Sequence, residues 1–598
     1  MEFPVLLPVP VRRSVIDSFG GYCHGDHVEA GQFFDMENMS GDRFPYLSPR
    51  GGRGALSARN PELWNPGENP PLAMAELDGL CLLTQEGLYY DLRSGLFHKE
   101  ELALSAELPK SLVSFGSYLI ILPDGKYLNL RHPEDQGSLE AIYAPEKPDV
   151  QFYLCSRDGK ILSATAATTA PAEPADGTLW LDISRFYSRG KSPLLQYSLA
   201  EEHWVSLADP CIRVEATGIG AAFSAGDWVF TEGVEDHALC ALTAQPREVV
   251  LAAADYLVLD APMGSDAVTL EGAEGFAVAR RLPKMDFLFA SGDRLWGCRY
   301  GWDEGRFVNE IYASKQGDFK NWYCFRGEDS DSVCIPCGTD GPWTGVIHAL
   351  GQPLLFKENC LHRIYGDSAK NFRMQTLPCQ GVQEGCHKSL AVIHGMLYYK
   401  ALCGVVCFDG ALPEPVSQAL GGEPYFAAVA GALGDKYYIS MLDSHGESQL
   451  FCYDTGHKFW HRQDQLRVME LRRVKDKLYY IEAGSNVVGI LDGGDSVERK
   501  FPWFAESGRL QNEGAQYLRR ITVRLSMAPE TALRFLVEYD SEGLWRPLAQ
   551  VTGGRRGTVS LALRLRRCDH LRLRIEGEGP ALIYSLSLER TPGGGEAG

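Results

Sequence analysis

LGDKYYISMLDSHGESQLFCYDTG, Leu433–Gly456, carries the pattern that decides the fold. A Gly-Asp turn leads into an aromatic run, a polar turn follows, and a second apolar run returns within a few residues. Apolar residues do not recur every three or four positions, as a helix would require. The unit reads as a β-hairpin, with glycine supplying the positive φ that tight turns need. It recurs in LDGLCLLTQEGLYYDLRSG from Leu77, FGSYLIILPDGKYLNL from Phe115 and SGDRLWGCRYGWDEGRFVNEIYAS from Ser291. LGQPLLFKENCLHRIYG from Leu350, IHGMLYYKALCGVVCFDG from Ile393 and VKDKLYYIEAGSNVVGILDGG from Val474 complete the set. From Ser291 onward the hairpins are spaced by about 40–60 residues, the length of a four-stranded propeller blade. One hairpin cannot bury both faces, whereas blades packed around an axis can. Tyr89, Trp296, Phe356, Tyr398, Tyr437 and Tyr479 fall at matching places, as blade-to-blade packing demands.

The predicted fold class is therefore all-β, a β-propeller of about seven blades with two departures from the repeat. Residues 150–283 hold strand-like runs with little hairpin repetition and read as an inserted β-domain. After Trp503 the texture becomes a period-2 alternation, as in RRITVRLSM, LRFLVEYDSEGLWRPL and HLRLRIEGEG, the mark of half-buried antiparallel strands. Residues 503–590 are thus expected to form a β-sandwich and 591–598 a disordered tail. Residues 61–149 and 284–502 hold the blades. Residues 1–60 form an extended arm, because Pro45 and Pro49 in ENMSGDRFPYLSPRGGR cannot donate to a central ladder. In that arm Phe44, Pro45, Tyr46 and Leu47 are the expected interaction pegs, and Arg50 and Arg53 the expected partners of an acidic body.

Composition narrows the function. With 45% apolar and 11% aromatic residues the chain is globular. No run approaches the roughly 18–20 apolar residues needed to span a bilayer. MEFPVLLPVPVRRSV has prolines in its apolar part and its charges after it, the wrong order for a secretory leader. The reading is a soluble protein made in the cytoplasm, without a membrane partner. Lys and Arg number 58 against 78 Asp and Glu, net −20, which argues against specific nucleic-acid binding. Trp503–Arg590 instead has fourteen Lys/Arg against ten Asp/Glu, consistent with Arg alternating outward on strands or with a basic docking surface.

The sixteen cysteines are scattered and suit buried thiols better than a disulfide framework. CIPC, Cys334 and Cys337, is a lone CxxC, and Cys379, Cys386, Cys403 and Cys407 are the candidate sources of further zinc ligands; their spacings fit no usual zinc knuckle. No metal and no cofactor is expected. Asp303, Glu304, Asp329, Asp331 and Asp340 are the candidate glycosidase carboxylates, yet they sit in turn-like loops that solvent would claim. A Ser/His/Asp assembly needs no adjacency in sequence, and no Gly-x-Ser-x-Gly elbow announces one. Phosphate-binding loops, HExxH and dinucleotide fingerprints are absent. On this reading the chain is not an enzyme.

Several stretches together resemble the β-propeller virion proteins of phages and prophages: tail hub, nozzle and stabilisation proteins. Phe19–Gly21, Asp35–Asn38 and Pro45–Arg50 are similar to the opening of that family. Tyr312, Ser314, Gly317, Asp318, Asn321 and Trp322, in NEIYASKQGDFKNWYCF, are similar to its Y-x-S-x-x-G-D-x-x-N-W pattern. The Cys-rich middle and the inserted domain depart from it. The resemblance implies a structural virion component, a homo-oligomeric ring around the DNA channel with tail or portal-proximal proteins as partners. An alternative is a propeller that binds carbohydrate or a receptor through its loop tips.

Overall fold

Paired tyrosines explain why the hairpin runs are apolar on both faces. In the computed structural model the quoted hairpin is the centre of a four-stranded antiparallel sheet, Phe426–Leu433, Lys436–Leu442, Ser448–Asp454 and Phe459–Asp464. Described are residues 11–25, 27–56, 69–90, 98–485, 487–492, 498, 500–561 and 566–592. Gly434 turns the chain at φ +58°. Successive side chains of a strand point to opposite faces. Tyr437 therefore donates its hydroxyl to the Ser389 carbonyl at 2.7 Å, ahead of the preceding sheet. Tyr438 donates to Asp492 at 3.0 Å, in the following sheet. Tyr399 reaches back to Gln380 O at 2.7 Å, while Tyr398 lies 5.7 Å from the Tyr437 ring. A central strand with a sheet on either side has no solvent face, so the alternation of a two-layer sheet disappears.

The chain divides into two compact units. The first comprises Met1–Ser111, Thr344–Arg363 and Thr376–Gly598. Its four-stranded sheets include Ala73–Glu76 with Leu80–Thr84, Gly87–Tyr90 and His98–Glu101, and Ala391–Ile393 with Met396–Ala401, Gly404–Phe408 and Glu414–Pro415. The first strands of successive sheets, Ala391–Ile393, Phe426–Leu433, Val468–Val474 and Ala73–Glu76, lie side by side, as the inner strands of propeller blades do. The sheet of Val468–Val474, Lys477–Glu482 and Val488–Asp492 takes its fourth strand from Gly54–Ala55, which pairs antiparallel with Gly489 and Ile490.

The C-terminal β-sandwich belongs to the same unit. Its strand path runs Arg12–Ile16, Ala581–Pro592, Leu510–Met527, Arg567–Glu578, Pro502–Ser507, Phe33–Glu37, so two segments from the N-terminal region supply its edges. Ala532–Tyr539 joins Arg567–Glu578 and Arg546–Thr552, and Arg555–Leu561 joins Leu510–Met527. One apolar core continues from Phe356, Phe408, Tyr437 and Trp460 into Trp503, Val523 and Phe535. Several of the sandwich arginines are partnered: Arg572 and Arg574 reach Glu506 at 2.6 and 3.3 Å, and Arg534 reaches Glu576 at 3.3 Å. Of the expected disordered tail, residues 591–592 instead end the strand Ala581–Pro592, and residues 593–598 lie outside the described residues, as do 1–10, 26 and 57–60 of the arm.

The second unit comprises Leu112–Trp343 and Ile364–Gln375. It holds the sheet of Phe287–Ser291, Arg294–Asp303, Arg306–Ala313 and Val333–Pro336. An eight-stranded sheet draws its strands from Ala141–Tyr143 to Ala277–Arg280, and a smaller four-stranded sheet covers Thr165–Ala167 to His203–Ser206. Buried Arg280 bonds Asp227 at 2.7 Å and the carbonyls of Leu139 and Ser138. The fold class is all-β, with propeller-type sheets and a C-terminal sandwich. The α-helices among the described residues are the short turns Phe186–Arg189 and Cys240–Ala244. None of the helices is long and apolar enough to cross a membrane.

Candidate functional site

The two middle strands of the Phe287–Pro336 sheet outrun their neighbours. Phe287–Ser291 pairs only with Arg294–Cys298, and Val333–Pro336 only with Glu310–Ala313. The register of the central pair continues to Asp303↔Arg306, so residues 299–309 form a two-stranded ribbon beyond the flanking strands. Glu304 and Gly305 close it with φ of +46° and +82°, the two left-handed positions of a type I′ turn. Glycine fits there without penalty, and the glutamate faces solvent.

Register puts three rings on one face. Trp302 is directly opposite Phe307, and Tyr300 is two residues back along the strand. Phe307 meets the Trp302 ring edge-on at 5.8 Å and the Tyr300 ring at 5.1 Å. Trp302 is 71% exposed and Phe307 48% exposed, although each could bury well over 100 Å². Ion pairs brace the ribbon. Asp286 accepts from Arg299 at 2.5 Å and from the Tyr300 N–H at 2.8 Å. Lys284 pairs with Asp303 at 2.7 Å, and this hydrogen bond raises the lysine pKa. Arg306 pairs with Glu310 at 3.0 Å, and Glu310 also accepts the Tyr312 hydroxyl at 2.7 Å. Burial and that carboxylate push the Tyr312 phenol upward. A rigid apolar face rimmed by Asp303, Glu304 and Arg306 can stack a flat, weakly polar ring and bond hydroxyls at its edge.

The other sequence candidates have different work. Ser314, Asn321 and Trp322 are buried. Ser314 Oγ accepts from the Leu295 N–H at 3.0 Å. Asn321 accepts from the Trp228 N–H at 2.8 Å and donates to Gly226 O at 3.1 Å and to Asp318 at 2.5 Å. Gly317 turns at φ +70°, and the Trp322 indole donates to Phe319 O at 3.0 Å. The Tyr312–Trp322 motif thus pins the Gly226–Trp228 turn to this sheet. Among the carboxylates, Asp331 is buried and holds the Gly327 and Glu328 N–H groups, and Asp329 lies 3.6 Å from Lys370. They organise loops.

The arm residues lie on the chain itself. Phe44 meets the stacked His457 and Phe459 rings at a tilt, with centroids 4.5 and 5.2 Å away. Pro45 O accepts from the Phe19 N–H, and Tyr46 packs edge-on to Tyr584 at 5.0 Å. Leu47 is buried and exchanges backbone hydrogen bonds with Ile583. Arg50, its side chain 5% exposed, pairs with Glu498 at 2.7 Å, and Arg53 with Asp464 at 2.6 Å. Burial alone would raise the Glu498 pKa, but the hydrogen bonds from Arg50 and Arg53 leave it lowered.

All sixteen cysteines are free thiols, and Cys334, Cys337, Cys379 and Cys386 do not meet as a ligand set. Among the described residues only Asp540, Asp569 and His570 bring three ligand-type atoms together. A groove of about 610 Å³ on the eight-stranded sheet is lined by Asp149, Arg213, Glu215, Asp255 and Tyr256. Its charges are engaged: Arg213 pairs with Glu215 at 2.6 Å over the Tyr256 ring, and the two aspartates hold the Gly272 and Gly218 N–H groups.

No family model and no curated protein matches this chain. Solved structures do. A glycoside hydrolase is 10% identical with a TM-score of 0.20, covering 50% of this chain and 96% of its own. The exo-β-1,3-galactanase of Phanerochaete chrysosporium is 7% identical with a TM-score of 0.15, covering 75% and 100%. A Trypanosoma rangeli sialidase mutant displaying trans-sialidase activity is 8% identical with a TM-score of 0.22, covering 96% and 95%. These neighbours correct the expectation that the chain is not an enzyme. A motif scan sees only residues close in sequence, whereas hydrolase groups converge from distant strands on folds that host many chemistries. At such TM-scores the neighbours assign no activity to this chain.

Proposed function

We propose that this protein is a propeller-type carbohydrate-binding protein and that Tyr300, Trp302 and Phe307 form its recognition platform. One observation carries the reading: a tryptophan 71% exposed, held by an edge-on phenylalanine at the tip of a ribbon that has outrun its sheet. An indole placed so gains nothing for folding, and a large exposed aromatic rimmed by charge is the usual make-up of a binding hot spot. The C–H face of a pyranose is weakly positive and complements the negative face of the indole. Asp303, Glu304 and Arg306 are placed to bond its hydroxyls.

A glycan array with the full chain and Trp302→Ala tests this. The wild-type chain is expected to bind at least one glycan class. Trp302→Ala should weaken it by about 2 kcal/mol, some 30-fold, with Tm unchanged because the side chain is exposed. An array without a hit, or a hit insensitive to Trp302→Ala, refutes the reading. A second reading, a ring subunit of a phage or prophage virion, rests on the motif resemblance and is favoured by the N-terminal arm knitted into both sandwich edges, a rigid build that suits assembly. Ring-shaped particles of the purified protein in negative stain would support it, and a monomer at micromolar concentration would remove it.

A further inference from the structure

On the C-terminal sandwich, away from the aromatic platform in sequence, three polar side chains stand in close series. Ser541 Oγ lies 2.7 Å from His570 Nε2, and His570 Nδ1 lies 2.6 Å from Asp569 Oδ1. We propose that Ser541, His570 and Asp569 form a nucleophile–base–orienting series that cleaves short-chain acyl esters through a covalent acyl-serine. The proposal stands independently of carbohydrate binding.

Each link has a cause in the backbone. Tyr539 pairs with Leu571, which sets the turn after Tyr539 beside Asp569 and His570. The Asp540 N–H donates to His570 O at 3.2 Å, and the Asp569 N–H donates back to Asp540 Oδ1 at 3.0 Å. These two bonds hold one segment against the other. Tyr539–Glu542 is a type I′ turn: Asp540 and Ser541 have φ of +49° and +53°, and the Glu542 N–H donates to Tyr539 O at 3.1 Å. Glycine or asparagine is the ordinary occupant of its second central position. A serine there bears the left-handed penalty of about 1–2 kcal/mol, and strain of this kind gathers where a side chain has a task. Here the strained residue is the one whose Oγ meets the imidazole.

Asp569 Oδ1, 2.6 Å from Nδ1, is placed to stabilise the imidazolium that forms when Nε2 takes the Ser541 hydroxyl proton. His570 is mostly covered, its side chain 19% exposed, while Asp569 and Ser541 are open to solvent. The Ser541 N–H has no acceptor among the described residues and lies beside its own Oγ, where an oxyanion donor is wanted. The serine is exposed, so the matching substrate is a small acyl group whose alcohol extends into water.

The step balances without any outside reagent. Ser541 Oγ bonds to the acyl carbon as its proton passes to Nε2, and the carbonyl electron pair moves to oxygen. Collapse breaks the bond to the leaving alcohol, whose oxygen takes the Nε2 proton. Water then attacks the acyl-serine, giving one proton to Nε2. Release of the carboxylic acid returns that proton to Ser541 Oγ.

The test uses the full chain, a fluorophosphonate probe read by peptide mass spectrometry, and p-nitrophenyl acetate turnover. The probe is expected on Ser541. Ser541→Gly relieves the turn strain, so this variant should fold with an unchanged or higher Tm while losing the label and about 10²–10⁴-fold in kcat/KM. His570→Gln should fall comparably. Asp569, a positioning residue, should show a lowered kcat with KM and Tm unchanged in Asp569→Asn. The proposal is overturned by no label on Ser541, by turnover that survives Ser541→Gly, or by turnover that EDTA abolishes. The last outcome would assign Asp540, Asp569 and His570 to a cation instead.

Discussion

Replacing Arg50 by alanine should be among the most damaging single changes in the arm. The guanidinium donates to Glu498 at 2.7 and 3.2 Å, to Asn38 Oδ1 at 2.7 Å and to Gly51 O at 2.9 Å, and it lies 4.1 Å from the Phe501 ring centroid. Asp464 is 3.7 Å away. Glu498 and Asp464 are themselves only 32% and 20% exposed. Arg50→Ala therefore leaves half-covered Glu498 with the Arg53 N–H and Asp464 with the Arg53 guanidinium, and losing the charged hydrogen bonds of Arg50 costs about 2–3 kcal/mol. Calorimetry of the full chain should show the transition of the first unit falling by several degrees. Adding Glu498→Gln removes the carboxylate that lost most of its partners, so the double variant should recover about 1–2 kcal/mol relative to the sum of the singles. A shift under 1 °C for Arg50→Ala, or strict additivity in the double variant, would refute the picture of a buried, mutually dependent pair.

Two further outcomes follow from buried polar groups. Burial holds His362 and His461 neutral and depresses each to about 4 from 6.5. The unfolded chain takes up these protons near 6.5 and the folded chain only near 4. Stability is thus complete above 6.5 and lost as pH falls through that window, by about 3 kcal/mol per histidine. Tm measured from pH 7 to 4.5 should fall less steeply in His362→Gln, and an unchanged slope would remove His362 as the cause. Asn321→Ala strips the partners of the Trp228 N–H and Gly226 O, at about 2–4 kcal/mol. Hydrogen exchange at the Trp228 amide should accelerate, and unchanged protection would refute its role as a pin.

The propeller sheets were legible because Tyr89, Tyr398 and Tyr437 repeat just after glycine turns, and Tyr479 after a Lys-Asp turn, a local signal of a strand buried on both faces. Partners far apart in the chain left no such trace. Gly54–Ala55 is two small residues without pattern, and only its register with Gly489 and Ile490 makes it a strand. GWDEGRF read as a solvated turn because Asp303 and Glu304 drew attention. The informative residues, Trp302 and Phe307, become a platform only once they are known to be directly opposite. Likewise LRFLVEYDSEGLWRPL showed the alternation of its strands, but nothing in it announces that Ser541 will meet a histidine from the neighbouring strand. The approach of Ser541 to His570 is a property of register, which sequence spacing does not encode.

The strand at Gly54–Ala55 also sets a clock on biosynthesis. Arg53, at its base, donates its N–H to Glu498, 445 residues further on. At roughly 5–20 residues per second, the ribosome needs about 20–90 s to deliver that partner. Throughout that interval the sheet edge that will close Val468–Asp492 has no mate, and the segments destined for the sandwich edges wait even longer. The first unit can become native only after nearly the whole chain has emerged, so its early segments depend on whatever shields nascent chains in the cell that makes it.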